Sequence, residues 1–204
     1  MEALIEQLRG QWPLPDSRQL RDEVLTAYAE PSRRYHNIDH LHDVLDRLSE
    51  LARHDTAFDQ LPVLLAAWFH DVVYDGAPTD EQRSAEHAQR CLAGLVDPET
   101  SAEIIRLVRL TETHRPKDND PNGSALCDAD LAILAAPADR YRAYTQAVRA
   151  EYRHVAEADF RAGRAKVLRA LLDKPHLFHT RHARERWEHT ARSNLNQELA
   201  VLVP

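Results

Sequence analysis

The stretch Leu64-Leu65-Ala66-Ala67-Trp68-Phe69-His70-Asp71 determines the fold that we predict for this chain. The residues from Val63 to Phe69 carry no charge, and the run then ends in an adjacent histidine and aspartate. Because it is shorter than the roughly 18 apolar residues that a membrane span requires, we expect a helix buried in protein. A buried carboxylate is costly unless it is paired or binds a metal ion. The stretch therefore predicts a core helix that delivers two metal ligands, and a capped helix with an incidental histidine is the alternative.

The composition of the chain predicts an all-α protein. The 204 residues include five glycines, contain no long alternating run of β-branched residues, and are 43% apolar and 29% charged. A chain of this length can bury one sizeable hydrophobic core, and its abundant Ala, Leu, Arg and Glu favour helices. We therefore predict a single-domain helical bundle of about seven to nine helices.

Charge and cysteine usage narrow the expected partners and location. The 26 basic and 33 acidic residues give a net charge of −7, which argues against general nucleic-acid binding because phosphate neutralisation needs a basic surface. A local cluster of cations or a metal ion can still hold a small anion. Cys91 and Cys127 lack CxxC spacing, and the acidic N-terminus does not resemble a signal peptide. We expect a cytoplasmic protein that does not bind membranes.

Chemistry-bearing residues also occur on both sides of the apolar stretch. Tyr35-His36-Asn37-Ile38-Asp39-His40 leads into an amphipathic helix, and His36 and His40 are four residues apart, so they can share one face. Residues 115–123 are polar and rich in turn formers, which predicts a surface loop that borders the site. Beyond this loop, Asp128 and Asp130 lie within an otherwise apolar pattern.

The order His40, then His70-Asp71, then Asp128 or Asp130 resembles the H…HD…D pattern of the HD-domain metal-dependent phosphohydrolase superfamily. The similarity covers roughly residues 34–134. The phrases Tyr35-His36-Asn37-x-x-His40, Phe69-His70-Asp71-Val72-Val73-Tyr74 and Asp128-Ala129-Asp130-Leu131 resemble a bacterial branch of predicted HD phosphohydrolases. The resemblance implies one HD-like helical domain over residues 1–204, with a metal-site core at about 34–134 and C-terminal packing helices at about 138–202.

The resemblance also implies a ligand set: His40, His70, Asp71 and one of Asp128 or Asp130. Asp130 is favoured because Ala129-Asp130-Leu131 resembles the surroundings of the last ligand elsewhere in the superfamily, and Asp128 would then brace the site. The expected cofactor is a divalent metal ion (Mn, Fe, Co, Ni, Zn or Mg). Two imidazoles and two carboxylates leave open positions on a six-coordinate ion for water and a phosphate oxygen. Such an ion activates the water and neutralises phosphoryl charge.

The remaining candidates are expected to act on the proton or the substrate. Asp71, Asp75 and Glu81 are candidates for acid and base chemistry, although Glu81 also suits a helix N-terminus. His36, His114 and Arg34 are expected to contact the substrate phosphate. Their alternatives are a surface group for His36 and Arg34 and a helix C-terminal cap for His114. We expect neither histidine to ligate a second ion.

The resemblance implies hydrolysis of a small phosphate ester or anhydride, with a nucleotide as one candidate substrate. One alternative is an HD-fold di-iron oxygenase. Proteins of that kind hold two irons with the residue order H…HD…H…H…D, and this chain would need His87 and His114 to point inward. A second alternative is a non-catalytic helical ligand-binding protein with a vestigial site. That alternative conflicts with the retention of costly buried carboxylates.

Overall fold

The computed structural model describes residues 2–54 and 56–203, and this part of the chain is all-α, as predicted. Its eleven α-helices are α1 (Glu2–Gln11), α2 (Arg18–Tyr28), α3 (Ile38–Arg53), α4 (Gln60–Phe69), α5 (Asp80–Leu92), α6 (Pro98–Leu110), α7 (Pro121–Asp130), α8 (Ala138–Glu151), α9 (Glu157–Leu172), α10 (Arg181–Arg186) and α11 (Glu188–Leu202), with a 3-10 helix (Leu131–Ala135) after α7. Within the described ranges there is no β-strand, and extended pairing is limited to one bridge between Ala93 and Val96.

Helix α4 forms the centre of the bundle. The side chains of Val63, Leu65, Trp68 and Phe69 are fully buried, as expected for a helix that is apolar on all sides. It packs against α3, α5, α6 and α7, and the ring of Trp12 meets that of Trp68 edge-on at 4.9 Å between centroids. In the described part of the chain, no helix is long and apolar enough to span a membrane.

Helices α3 and α7 both pack against this central helix and against each other. Helix α3 buries the apolar stripe that its sequence predicts, including Leu41, Leu45 and Leu48. Helix α7 buries most of its length and ends at Asp130. The N-terminal turn of α3, the C-terminal end of α4 and the C-terminal end of α7 therefore meet in one region of the bundle.

The prediction of a surface loop over residues 115–123 was wrong at its C-terminal end. Asp120 caps α7 by accepting a hydrogen bond from the backbone N–H of Gly123 (2.8 Å), and Pro121 occupies the first turn. An N-cap aspartate followed by proline is a helix start signal, so the sequence contained the information. Asn122 is buried and donates to Asp59 and Glu103.

The eleven described α-helices exceed the predicted seven to nine. One reason is that residues 181–202, which the sequence pattern predicts as a single helix, form the two helices α10 and α11. Trp187 adopts φ −111°, and this change in backbone direction separates α10 from α11. Helix α11 packs on α9 and on the 3-10 helix. Asn194 is buried there and donates to the carbonyls of Leu134 and Ala136. The C-terminal helices thereby hold the segment that follows Asp130, and one hydrophobic core runs from Leu8 in α1 to Leu195 in α11.

Two glycines give a matched test of packing around α7. A Cβ at Gly123 would lie 2.7 Å from Cδ2 of Leu110 and 2.8 Å from Cγ of Asp120, whereas a Cβ at Gly163 in α9 meets nothing within 4 Å. We expect Gly123→Ala to lower the free energy of unfolding by about 1–3 kcal/mol through overpacking. Gly163→Ala should raise it by about 0.5–1 kcal/mol, because alanine is the better helix former. Urea unfolding measures both changes, and equal effects would contradict the close packing.

Candidate metal centre

His40 is held in place by the cap of α3. The side-chain oxygen of Asn37 accepts hydrogen bonds from the backbone N–H groups of Asp39 (2.9 Å) and His40 (3.3 Å). An asparagine in this position satisfies donors that have no partner within the helix. The imidazole of His40 is buried, and its Nε2 lies 3.0 Å from Nε2 of His70.

His70 continues the backbone of α4 for one further residue, and this geometry fixes its ring. Its Nδ1 lies 2.7 Å from the carbonyl oxygen of Ala67, so Nδ1 carries the proton that makes this hydrogen bond. In the neutral ring, Nε2 is then the unprotonated nitrogen and directs its lone pair at the cluster. A histidine whose second nitrogen donates to a backbone carbonyl is the usual form of a metal ligand.

Three ligand atoms converge in this region. The separations are 3.0 Å between the Nε2 atoms of His40 and His70, 3.4 Å from His40 Nε2 to Asp71 Oδ2, and 3.2 Å from His70 Nε2 to Asp71 Oδ2. Ligand atoms bonded at about 2.1 Å with tetrahedral or octahedral angles are roughly 3.0–3.4 Å apart. Within residues 2–54 and 56–203, these three residues are the group whose ligand atoms all lie within 4.8 Å of one another. The donors and their spacing suit one divalent ion.

Asp130 approaches the same centre from α7. Its Oδ1 lies 3.3 Å from Nε2 of His40 and 3.7 Å from Nε2 of His70, but it does not belong to the three-residue group. Its second oxygen lies 2.7 Å from Nε2 of His114. His114 has φ +49°, a left-handed conformation that is uncommon outside glycine. The turn after α6 therefore places this imidazole against the carboxylate and not on the centre itself.

Asp128 lies two residues before Asp130 in α7 and has a different set of partners. It is fully buried, and its two oxygens accept the backbone N–H groups of His179 (2.8 Å) and Thr180 (2.7 Å). Burial raises the pKa of its carboxyl to about 6, although these hydrogen bonds favour the charged form. Asp128 thus ties α7 to the segment between α9 and α10.

The charges of the cluster explain the pKa values of its members. Burial lowers the pKa of His40, but its hydrogen bonds with Asp130 and Asp71 outweigh this effect and raise the pKa to about 10. Burial would raise the pKa of Asp71 and of Asp130, yet the neighbouring histidines, His70 first, hold both below their usual range. Two carboxylate charges are therefore held in a buried place, where a bound cation would neutralise them.

The groups that hold the Asp71 backbone were not predicted from the sequence. The buried Arg33 donates to the carbonyl oxygens of Asp71 and Val72, and the hydroxyl of Tyr28 accepts the N–H of Asp71 at 3.1 Å. The guanidinium of Arg33 also lies 5.4 Å from the ring centroid of Tyr28 and 5.8 Å from that of Tyr74. These contacts fix the chain just after α4, and only distant packing brings them together.

Glu151 at the end of α8 is a second group that the sequence did not indicate. One oxygen accepts the backbone N–H groups of residues 34, 35 and 36 at 2.8–3.0 Å, and the other bonds Nδ1 of His36 (2.8 Å) and the hydroxyl of Tyr74 (3.1 Å). Burial opposes the charge of Glu151, but the bond with His36 outweighs it and lowers the pKa to about 2. The carboxylate therefore orients the His36 ring, whose centroid lies 5.7 Å from that of His40.

We expect Glu151→Gln to slow turnover by about tenfold and to leave metal content unchanged, because loss of a group that orients a site residue typically costs 10–100-fold. The amide that replaces the carboxylate has no charge with which to hold His36, and only its oxygen can accept hydrogen bonds. Steady-state kinetics together with metal analysis measures this. Glu157→Gln is the matched control, because Glu157 is exposed and pairs with Arg149. Equal rates in the two variants would contradict an orienting role for Glu151.

The remaining predicted site residues differ in their exposure and in the groups that they contact. Asp75 is 64% exposed and pairs with Arg83 at 2.5 Å. Contrary to the prediction of an acid or base at the site, it does not face the cluster. Glu81 is half-buried, and burial followed by the charges of Asp71 and Glu112 raises its pKa. The side chain of Arg34 is exposed; only its backbone N–H joins the contact with Glu151. His87 is half-buried against the ring of Phe69 at 6.2 Å between centroids.

Comparison with known proteins gave no relative. No family model matches the chain, and neither a curated protein nor a solved structure matches it. Interpretation of the site therefore depends on its geometry and on the motif order in the sequence.

Proposed function

We propose that this protein is a metal-dependent hydrolase of a small phosphate ester or anhydride, with the metal held by His40, His70, Asp71 and Asp130. The observation that carries the proposal is the convergence of two imidazole nitrogens and a carboxylate oxygen within 3.0–3.4 Å. The order of these residues also resembles the H…HD…D pattern of HD phosphohydrolases.

The chain's own groups suit such a reaction. A bound divalent ion would lower the pKa of a water molecule and polarise a phosphoryl oxygen. Asp71 retains 14% exposure and Asp130 retains 13%, so neither carboxylate is completely shielded from solvent. His36, held by Glu151, and His114, held by Asp130, flank the centre with side chains that are about one-fifth exposed. Each imidazole has a second ring nitrogen that can form a hydrogen bond with a phosphate oxygen.

Glu81 is the group best suited to move a proton. Its raised pKa keeps it closer to neutrality than an ordinary glutamate, and a general acid or base is most effective when its pKa lies near the working pH. Arg34 and Asp75 have no such part in the proposal, since both side chains are exposed and Asp75 is paired elsewhere.

The oxygenase alternative requires a second metal. Its ligands would include His87, which instead packs against Phe69, and His114, whose Nε2 bonds Asp130. In the described part of the chain no second cluster of ligating groups accompanies them. The hydrolase is therefore the function that the geometry supports better.

The experiment measures metal and activity together. The metal content of the purified protein is determined, and release of inorganic phosphate is then screened over nucleoside mono-, di- and triphosphates, pyrophosphate and small phosphate monoesters. We expect about one ion per chain, phosphate release that stops on chelation, and recovery when Mn²⁺, Co²⁺ or another divalent ion is restored. Two ions per chain with oxygen uptake and no phosphate release would overturn the proposal in favour of the oxygenase.

A further inference from the structure

A cavity of 380 Å³ opens beside the metal centre. Its walls come from the turn after α6 and from the segment that follows α9. The titratable groups that line it are His114, Arg115, Asp173, Lys174, His176 and His179. One carboxylate therefore faces two permanent cations and three histidines, in a chain whose net charge is −7.

His114 connects this cavity to the metal centre. Its Nε2 lies 2.7 Å from Oδ2 of Asp130, while its backbone carbonyl accepts a hydrogen bond from Nζ of Lys174 at 3.0 Å. The ammonium and the proposed metal ligand are thus separated by the span of one histidine. His114 is thus the residue of the cavity lining that bonds a proposed metal ligand.

The cations of the cavity are not neutralised by carboxylates within the described part of the chain. Other long cations in the bundle do have such partners; for example, Arg164 pairs with Glu198 at 2.7 Å and Arg106 pairs with Asp120 at 2.7 Å. Arg115 and Lys174 form no ion pair with any described residue, Asp173 included. An exposed arginine and a half-buried lysine with no carboxylate partner retain their full attraction for an anion.

His179 adds a ring nitrogen that is already desolvated. Its backbone N–H is fixed by Asp128, and its Nε2 is shielded from solvent and has no hydrogen-bond partner among the described residues. A buried polar atom without a partner is costly, which points to a missing ligand or water. Lys174 is also half-buried, and burial, followed by the charge of Arg115, lowers its pKa. The cavity is therefore a prepared anion site and not a group of fully solvated side chains.

We propose that this cavity binds a second phosphate group of the substrate, so that the substrate class is a compound with two phosphate groups, such as a diphosphate or a nucleotide with more than one phosphate. This inference rests on the proposed hydrolase function, because the first phosphate is the one at the metal. Arg115 and Lys174 hold the second phosphate, and the imidazoles of His176 and His179 line the same cavity.

The test compares binding of inorganic pyrophosphate and inorganic phosphate by calorimetry, with the full chain as purified and again after chelation. The variants are Arg115→Gln and Lys174→Met. The matched control is Lys166→Met, since Lys166 is exposed on α9 and is one of only three lysines in the chain. Arg115 is exposed and has no ion pair to lose, so its variant should fold even if Lys174→Met disturbs the turn at His114.

We expect each cavity variant to weaken pyrophosphate binding by roughly tenfold, as expected for one charge-assisted contact. Lys166→Met should bind like the parent, and the difference should persist in the chelated protein. Parent-like binding in both cavity variants, or no pyrophosphate binding by the parent, would overturn the proposal.

The two proposals fail in different ways. Metal-dependent phosphate release with parent-like Arg115→Gln and Lys174→Met would leave the hydrolase standing and remove the cavity site. The opposite result is pyrophosphate binding that depends on Arg115 and Lys174 in a protein that has neither metal nor activity. That result would support the anion site, but it would contradict both the hydrolase proposal and the assignment of a substrate with two phosphate groups.

Discussion

Asp71→Ala is expected to abolish metal binding and activity while the helical fold survives. The carboxylate supplies one of the three closest ligand atoms, at 3.2 and 3.4 Å from the two histidine nitrogens. Because loss of a group that merely supports a ligand costs 10–100-fold in affinity, loss of a ligand should cost at least about a hundredfold. Metal content of the purified protein should fall from about one ion per chain to less than about a tenth.

The fold should survive this substitution because the backbone of residue 71 carries the structural contacts. Its N–H donates to Tyr28 and its carbonyl accepts from Arg33, and neither contact involves the carboxylate. Circular dichroism should therefore retain the helical signal, with a small change in the thermal midpoint. Asp71→Asn should be milder, since the amide keeps one oxygen that can ligate but loses the charge.

Asp75→Ala is the matched control for this experiment. Asp75 is four residues away, is exposed, and pairs with Arg83, and an exposed ion pair contributes about 0–1 kcal/mol. Metal content and activity should match those of the parent. Full metal occupancy in Asp71→Ala, or an equal loss in Asp75→Ala, would refute the ligand assignment.

The largest loss of stability is expected for Asp128→Ala. The carboxylate is fully buried and satisfies the backbone N–H groups of His179 and Thr180. Each donor left without a partner costs about 1–3 kcal/mol, so loss of the acceptor for both should lower the free energy of unfolding by roughly 2–6 kcal/mol. Urea unfolding measures the loss. Metal bound per folded chain should remain at the parental value, because Asp128 does not face the centre.

Asp130→Ala should show the opposite pattern, so a comparison of the two variants distinguishes the role of Asp128 from that of Asp130. Asp130 contacts His40, His70 and His114 by its side chain, so its loss should weaken metal binding by at least about tenfold. Its loss leaves no buried backbone donor unpaired, and the unfolding free energy should change by less than that of Asp128→Ala. Metal loss in Asp128→Ala with an unaffected Asp130→Ala would reverse the assignment.

Local sequence pattern predicted the helices well wherever one stretch carried its own signal. The apolar run of α4 could only be buried, and the periodic leucines of α3 fixed its inner face. The Asp120-Pro121 start of α7 carried an equally clear signal, but nearby turn formers obscured it. The break at Trp187 could not be predicted, because the backbone turns there to satisfy packing of α10 and α11 and not a local preference.

The sequence by itself determined the helical class and the residue types of the centre, because hydrophobic periodicity and the His70-Asp71 pair are local properties of the chain. Tertiary structure alone decided that Asp130 faces the centre while Asp128 ties α7 to residues 179 and 180. It also decided that Arg33 and Glu151 hold the site, since their partners lie up to 117 positions away. Such contacts arise when helices pack, and packing depends on the complementarity of whole surfaces, which no short segment contains.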